Sequence, residues 1–411
     1  MIEKRISSML LFAIVAASNL MAQPVLETGG KKMPNEWIDK ETGHKVIKLI
    51  RKEGNFASFY FHNNPFIPGK NGEGDRMVFY GNDQYKGDGN GNFLYTVNLK
   101  DFSVKQLTFG KQRKTGEILA VKQHKIYFQS RDTIYAVNAD TQKTEVVYVF
   151  PEDFKGNITT INADETLLAG AKSTEEEKEI YKNNPEKKDY FNKIYEAKLP
   201  RTLFTIDIKN KQLNKIFTDS AWLNHIQFSP SNPKLLMFCH EGPWHKVDRI
   251  WTIDIDTKNV QLIHKRTMNM EIAGHEWFDK RGNIIWFDLQ MPRGEKFFVA
   301  GVDLQTKKEK RYELDRNEWS VHYTSSNDAK LFAGDGGDEN AVAKAPNGKW
   351  IYLFKPEGDR FVSEKLVDMK HHKYKFEPNV HFSPDQKWVI FRANFEGSEQ
   401  IYAVEIQKHK K

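Results

Sequence analysis

The most regular signal in the chain is a short alternating segment, rich in aromatics and usually closed by an acid or an amide. It returns seven times, at 94–99, 134–138, 203–208, 250–255, 299–304, 351–354 and 401–406. Inward and outward positions alternate within each copy, which is the period of a β-strand. Apolar runs at 76–80, 125–129, 234–239, 283–289 and 387–392 precede five of these segments as second strands. Six copies are followed by a further strand, at 104–109, 144–150, 212–217, 260–264, 307–314 and 361–366. The seventh has almost no chain after Ile406, whereas 45–50 is a spare strand near the start. Four-stranded units arrayed radially predict an all-β, seven-bladed β-propeller whose last blade is completed by the N-terminal strand. A β-helix would need shorter repeats, and a sandwich would not explain seven copies.

One segment, 172–200, breaks the period. It is charged, with Glu175-Glu176-Glu177-Lys178 ahead of Ile180, Tyr181, Tyr190, Phe191 and Tyr195. It reads as a helical insertion in blade three, an amphipathic surface excursion to which no chemistry is assigned.

First strands of propeller blades line the central channel, and four of them carry a polar residue four places before the strand ends. The lines are Asn224-His225-Ile226-Gln227-Phe228-Ser229, Gly274-His275-Glu276-Trp277-Phe278-Asp279, Val321-His322-Tyr323-Thr324-Ser325-Ser326 and Asn379-Val380-His381-Phe382-Ser383. Register puts His225, His275, His322 and Asn379 at one level on the side made by blades four to seven, with Ile158 at that point in blade three. A single such histidine is ordinarily a structural residue bridging strands. Three in consecutive blades, beside Glu377, point to a site, either for a divalent metal or for a neutral imidazole base.

A second cluster follows the second strand of blade four: His240-Glu241-Gly242-Pro243-Trp244-His245, with Arg249 just beyond. Gly242 and Pro243 make it a turn. Arg249 can fork onto a carboxylate, and Trp244 can stack on a sugar face. His240, Glu241, Trp244, Trp277 and Arg293 are the candidate substrate contacts.

Composition adds bounds. Apolar residues make up 39% of the 411 and aromatics 13%, enough for a large core. Residues 1–22 have a basic start, an apolar run from Met9 to Ala17 and the small residue Ala22, the layout of a signal peptide. Residues 23–411 are then expected as one propeller domain, exported and periplasmic or secreted. No later stretch is long and apolar enough for membrane insertion. Cys239 is the one cysteine, which excludes an intrachain disulfide and reads as a small buried hydrophobe. The net charge of +7 suits an acidic ligand, but the lysines are scattered and no nucleic-acid module is present.

The run 238–251, then Gly274-His275-Glu276-Trp277, Ser320-Val321-His322, Ala333-Gly334-Asp335-Gly336 and 378–385 occur in an order that resembles the oligogalacturonate lyase family of seven-bladed-propeller polysaccharide lyases. The likeness extends to Trp37-Ile38-Asp39-Lys40-Glu41-Thr42-Gly43 and covers nearly all of the chain after residue 22. The resemblance implies cleavage of short uronic-acid oligomers by β-elimination, with a histidine base and a bound divalent metal, usually manganese. By position the base falls on His275, the carboxylate-binding arginine on Arg249 and one metal-ligand histidine on His322. The family's other ligands, a glutamine and a His-Pro-His stretch, fall on Tyr374, Glu377 and Asn379. That departure makes the implied site oxygen-rich, which favours manganese, calcium or magnesium over zinc. It is also compatible with loss of the metal, or with His381 substituting from the same strand face. The proton donor for the leaving oxygen is left open between Tyr323, His240 and water. Two rivals stand beside this reading: a lyase or hydrolase for a different acidic glycan, and a non-catalytic propeller that binds acidic sugars.

Overall fold

In the computed structural model, which describes residues 23–408 apart from 71, 83–91 and 111, the strands form seven radial blades. The expected signal peptide lies outside the described residues. The inner strands are Asn55–Ser58, Thr115–Ala120, Asn157–Ile161, Trp222–Phe228, Ile272–Phe278, Tyr323–Ser325 and His381–Phe382. Each blade then runs outward strand by strand, as in blade four with Leu235–Glu241, Ile250–Asp254 and Val260–Leu262. Second strands are covered by both neighbouring blades, so they read as unbroken apolar runs rather than alternating ones. Leu236, Met237, Phe238 and Cys239 have no exposed surface. Burial pushes the Cys239 thiol well up, which keeps it an inert core group.

The closure expected from the spare N-terminal strand is present. Lys45–Lys48 pairs with Gln400–Glu405 in the register Val46↔Val404 and Ile47↔Ala403. Blade seven continues beyond it through Glu36–Asp39 and Val25–Leu26, two strands that the repeat pattern did not predict. They are held by Trp37, which is fully buried and meets Phe395 and Tyr402 edge-on at 6.3 and 6.0 Å. The outer strand of blade four stops at Leu262, short of the expected 264. His264 leaves the strand because its ring nitrogens are taken by Glu309 and Glu271.

The insertion in blade three is two helices, α1 (Glu175–Asn183) and α2 (Lys187–Ala197). Thr174 starts α1 by accepting from the Glu177 amide at 3.2 Å, the side-chain cap expected before an acidic first turn. The insertion is moored, not merely solvated. Glu177, 1% exposed, pairs with the Arg201 guanidinium, which also donates to the Leu223 carbonyl at 2.8 Å. Phe191 meets Trp222 at 5.2 Å, and the Tyr195 ring lies against Gly242. The helices therefore stand beside the turn that carries Trp244.

Candidate active site

The level shared by the polar residues has a backbone cause. In blade four, the pairs Asn224↔Cys239 and Gln227↔Met237 leave His225 and Ile226 facing Phe238 alone, a β-bulge. Blade five repeats it with His275 and Glu276 against Phe287. In blade seven, Asn379 and Val380 face Phe391 between the hydrogen bond that the Arg392 amide donates to the Pro378 carbonyl and the pair His381↔Ile390. The first residue of each bulge is left-handed, with φ of 48° at His225, 48° at His275 and 53° at Asn379. Blade two has the same bulge with Gly116 at φ 97°, the residue for which that conformation costs least. An L-residue there stores about 1–3 kcal/mol, so three such side chains at one level mark a site where position outweighs strain.

Two of them, His225 and His275, have a buried Nδ1 without a hydrogen-bond partner; the His225 Nδ1 has the Glu276 carboxylate at 3.5 Å, which leaves His275 the less satisfied. The His275 ring lies 4.7 Å from His322 and 5.2 Å from Trp244. Trp244 reaches it because position 274 is glycine: a Cβ there would come within 2.9 Å of the indole. Burial, then the neighbouring His322, His225 and Arg249, hold the His275 imidazole well below the usual histidine range. The imidazole is therefore neutral at physiological pH.

Arg249, 1% exposed, is largely spent on the protein. Its Nη1 donates to Glu241 at 2.7 Å and its Nε to Glu276 at 2.9 Å, while Trp244 covers its face and donates its indole N–H to Glu241 at 3.0 Å. Burial alone would raise the Glu241 carboxyl, but the Arg249 charge, with help from His225, brings it down to about 2. Nη2 is the part of the fork left without a partner. Glu241 is thus a support for Arg249 and Trp244.

The structure adds a loop that the sequence reading did not assign. After Asn55–Ser58 the chain leaves its blade and crosses the channel axis at residues 59–65, then rejoins blade one at Phe66–Ile67. The Tyr60 amide donates to Glu117 of blade two, the Phe61 amide to Asn379 Oδ1 at 3.0 Å, and the Phe59 carbonyl accepts from His381 Nε2 at 3.0 Å. Phe61 stacks on His322 at 4.7 Å. The Tyr60 hydroxyl donates to His322 Nε2 at 3.1 Å, and His322 Nδ1 donates to the fully buried Asp335 at 2.9 Å. Beyond this plug, toward the opposite mouth, is a cavity of about 430 Å³.

The plug divides the predicted residues. His225, His275, His322, Arg249 and Trp244 gather on one side. Trp277 belongs to the other: it lines the cavity, is 3% exposed, and rests on Phe61 and Tyr323. His240 stacks on Trp251 at 4.8 Å, turned from the Glu241 side of its strand. Arg293 is exposed at the blade-five turn, close enough to His245 for its charge to lower that imidazole after burial has done so. Tyr323 is fully buried, its hydroxyl accepting from the Ser320 amide at 2.8 Å.

The implied metal ligands fit a metal poorly. Asn379 gives Oδ1 to Phe61 and Nδ2 to the Glu377 carbonyl at 3.1 Å. The Tyr374 hydroxyl donates to the Asp335 carbonyl at 3.0 Å, and His381 holds the plug while lining the far cavity. His322 Nε2 and the Glu377 carboxylate remain, 3.8 Å apart, with Nε2 already accepting from Tyr60. Among the described residues no three His, Cys, Asp or Glu side chains converge as a ligand set. The cause lies in the donors: an amide at 379 accepts from the plug backbone through Oδ1 and donates to the Glu377 carbonyl of its own strand through Nδ2, so both ends are used.

Comparison with known proteins agrees with the fold and places the chain. The model of the oligogalacturonate lyase family, Pectate_lyase22, matches residues 28–409. The chain is 25% identical over 400 residues to the oligogalacturonate lyase of Dickeya dadantii, covering 92% of this chain and 98% of that protein. It is 24% identical over 395 residues to the oligogalacturonide lyase of Pectobacterium atrosepticum, with the same two coverages. The solved oligogalacturonate lyase of Vibrio parahaemolyticus superposes with a TM-score of 0.76 at 22% identity, over 92% of this chain and 97% of that one. An oligogalacturonate lyase in complex with manganese gives 0.77 at 22% identity, over 92% and 98%. The match along nearly the whole chain, on a seven-bladed frame with a strained imidazole at its channel, makes this protein a member of the oligogalacturonate lyase family.

Proposed function

We propose that the chain cleaves short uronic-acid oligosaccharides by β-elimination, with His275 as the base. The observation that carries this is the neutral, strained His275 with an unpartnered Nδ1, set between Trp244 and His322. In the reaction the base removes the proton beside the uronate carboxylate and the 4-linked oxygen leaves. Charge developing on that carboxylate must be met by fixed donors, usually the largest catalytic contribution. Arg249 Nη2 is the donor at hand, and Trp244 offers a face for the sugar ring. A family metal would supply further neutralisation, but the donor set fits one poorly.

The departures at Tyr374, Glu377 and Asn379 favour a second reading, a different acidic glycan as substrate. One experiment separates the two from a binding module: the purified chain is incubated with oligogalacturonates and with other acidic glycans while ultraviolet absorbance of the unsaturated product is followed. Absorbance on oligogalacturonates that His275→Ala abolishes supports the first reading. Binding without product on any uronate overturns it. We also propose export after cleavage near Ala22, checked by N-terminal sequencing of the protein recovered from outside the cytoplasm.

A further inference from the structure

The proposed elimination needs a proton for the departing oxygen, and neither protein donor weighed from the sequence is placed to give it. Tyr323 is sealed in the core, and His240 stacks on Trp251 away from Arg249. Tyr60 is placed. It is carried by the plug, half-buried, with its ring 5.0 Å from His322 and 6.1 Å from His225. The hydroxyl closes a chain of two hydrogen bonds, Tyr60 to His322 Nε2 at 3.1 Å and His322 Nδ1 to Asp335 at 2.9 Å. Asp335 also accepts the His322 and Asn379 amides at 2.8 and 3.1 Å, so the carboxylate is fixed from three directions. This arrangement fixes the tautomer: Nδ1 carries its proton toward the buried acid, and Nε2 is left as an acceptor facing the phenol. The ring that the resemblance assigns to a metal is instead the middle of a Tyr–His–Asp chain.

We infer that Tyr60 is the general acid of the elimination. This rests on the lyase reading above. As His275 takes the proton from C5, the C5–H electron pair forms the C4=C5 double bond and the C4–O4 bond breaks. O4 takes the Tyr60 hydroxyl proton as the phenol turns from His322 to the leaving oxygen. The phenolate of the half-buried Tyr60 is reprotonated by solvent, and the half-buried His275 returns its proton to solvent, so the enzyme is restored. Tyr60, His275 and His322 come from blades one, five and six, which explains why linear motifs do not reveal the pair of acid and base. Asn379 and His381 act by holding the plug, and with it Tyr60, across the channel.

The test compares Tyr60→Phe with the parent protein on two substrates, a 4-linked uronate disaccharide and a uronate with 4-nitrophenoxide at C4. Sugar alkoxide needs a proton to leave; nitrophenoxide does not. On the disaccharide, Tyr60→Phe should lower kcat by about 10²-fold or more, the usual contribution of a positioned acid, with KM little changed. On the nitrophenoxide substrate the loss should shrink to within about threefold, because the missing proton no longer limits the step. Both rates come from one preparation, so partial misfolding cannot imitate the difference. Equal losses on the two substrates would show that Tyr60 acts only through packing or through His322, and a disaccharide rate within twofold of the parent (roughly 0.4 kcal/mol) would remove it from the chemistry. Absence of product from the parent protein on both substrates would overturn the lyase reading itself and this inference with it.

Discussion

His264 is buried and His275 half-buried; both lie near the blade-five strands, and they are opposite in every other respect. His264 has each ring nitrogen on a carboxylate, Glu309 at 2.6 Å and Glu271 at 2.8 Å, on ordinary backbone. His275 sits at φ 48° with Nδ1 unpartnered. Burial tends to lower both imidazoles; at His264 the two glutamates outweigh it and the pKa is raised, whereas at His275 the other imidazoles and Arg249 reinforce it. A buried polar group costs free energy unless it is paired, and a left-handed side chain costs more. One histidine is therefore retained by what it gives the fold, the other against what it costs the fold. Blade two supplies the control, since Gly116 fills the same bulge without strain.

The largest effect should come from making blade five resemble blade two. His275→Gly removes the base and the strain together. We expect kcat/KM on a uronate substrate to fall by about 10²–10⁴-fold. The thermal midpoint should hold or rise, because glycine suits the left-handed position. A fall in stability as large as that in rate would place His275 among the structural histidines and end the contrast.

The reverse outcome is expected at His264. Replacement by leucine leaves Glu271 buried with its charge unmatched, although the Thr267 amide at 2.7 Å and hydroxyl at 2.8 Å continue to serve it. Breaking a buried pair from one side costs about 3–5 kcal/mol, and the remaining donors should keep this case near 3. Denaturant unfolding measures the loss, while the folded fraction keeps its kcat. Loss of activity beyond the loss of folded protein would mean that the two histidines are not separable.

The sequence carried the frame well because a propeller repeats itself: seven alternating third strands and a spare N-terminal strand are local signals, and the closure Val46↔Val404 was legible from them. The level of His225, His275 and Asn379 was legible too, since counting back from a strand end survives a bulge that blades four, five and seven share. What the bulges do to φ was not, because a left-handed histidine leaves no trace in one sequence. The plug escaped for a different reason. Residues 59–65 look like an ordinary connection inside blade one, and their partners Glu117, His322, Asn379 and His381 lie far along the chain in other blades. Trp277 was misplaced because period-two reasoning fixes a strand face but not which side of the plug that residue falls on.

A smaller effect tests the plug. Asn379→Gly keeps the left-handed backbone but frees the Phe61 amide, so Tyr60 and Phe61 lose one anchor while Asp335 keeps His322. One neutral hydrogen bond is worth about 1 kcal/mol, and we expect roughly a fivefold to tenfold fall in rate with a modest fall in stability. In the same preparation, dialysis against a chelator should change the parent rate by less than about twofold, since two donors 3.8 Å apart are a weak ligand set. Stoichiometric manganese surviving dialysis, with activity lost on its removal, would instead assign Asn379 to a metal centre.

The smallest effect is in the pH dependence of stability, and there the two histidines should act with opposite slopes. The His264 pKa is raised in the fold, so its contribution is complete below the unfolded value of about 6.5 and is lost as pH rises through the folded value. Its partners Glu271 and Glu309 are lowered: burial alone would raise each, but Thr267 and His264 outweigh it at Glu271, and His264 and Arg311 do so at Glu309. Their share is present above the unfolded carboxylate range and is lost as pH falls through the folded one. His275 is lowered, so acid favours the unfolded chain, which binds the proton first, and stability drops as pH falls below about 6.5. His264→Gln should therefore flatten the alkaline limb of a profile of thermal midpoint against pH. His275→Gly should ease the mildly acidic limb, partly and not wholly, because His225 beside it is lowered in the same direction, by burial first. Parallel profiles for both variants and the parent would mean that neither ring changes its proton affinity on folding, and the contrast between a satisfied and an unsatisfied histidine would lose its electrostatic half.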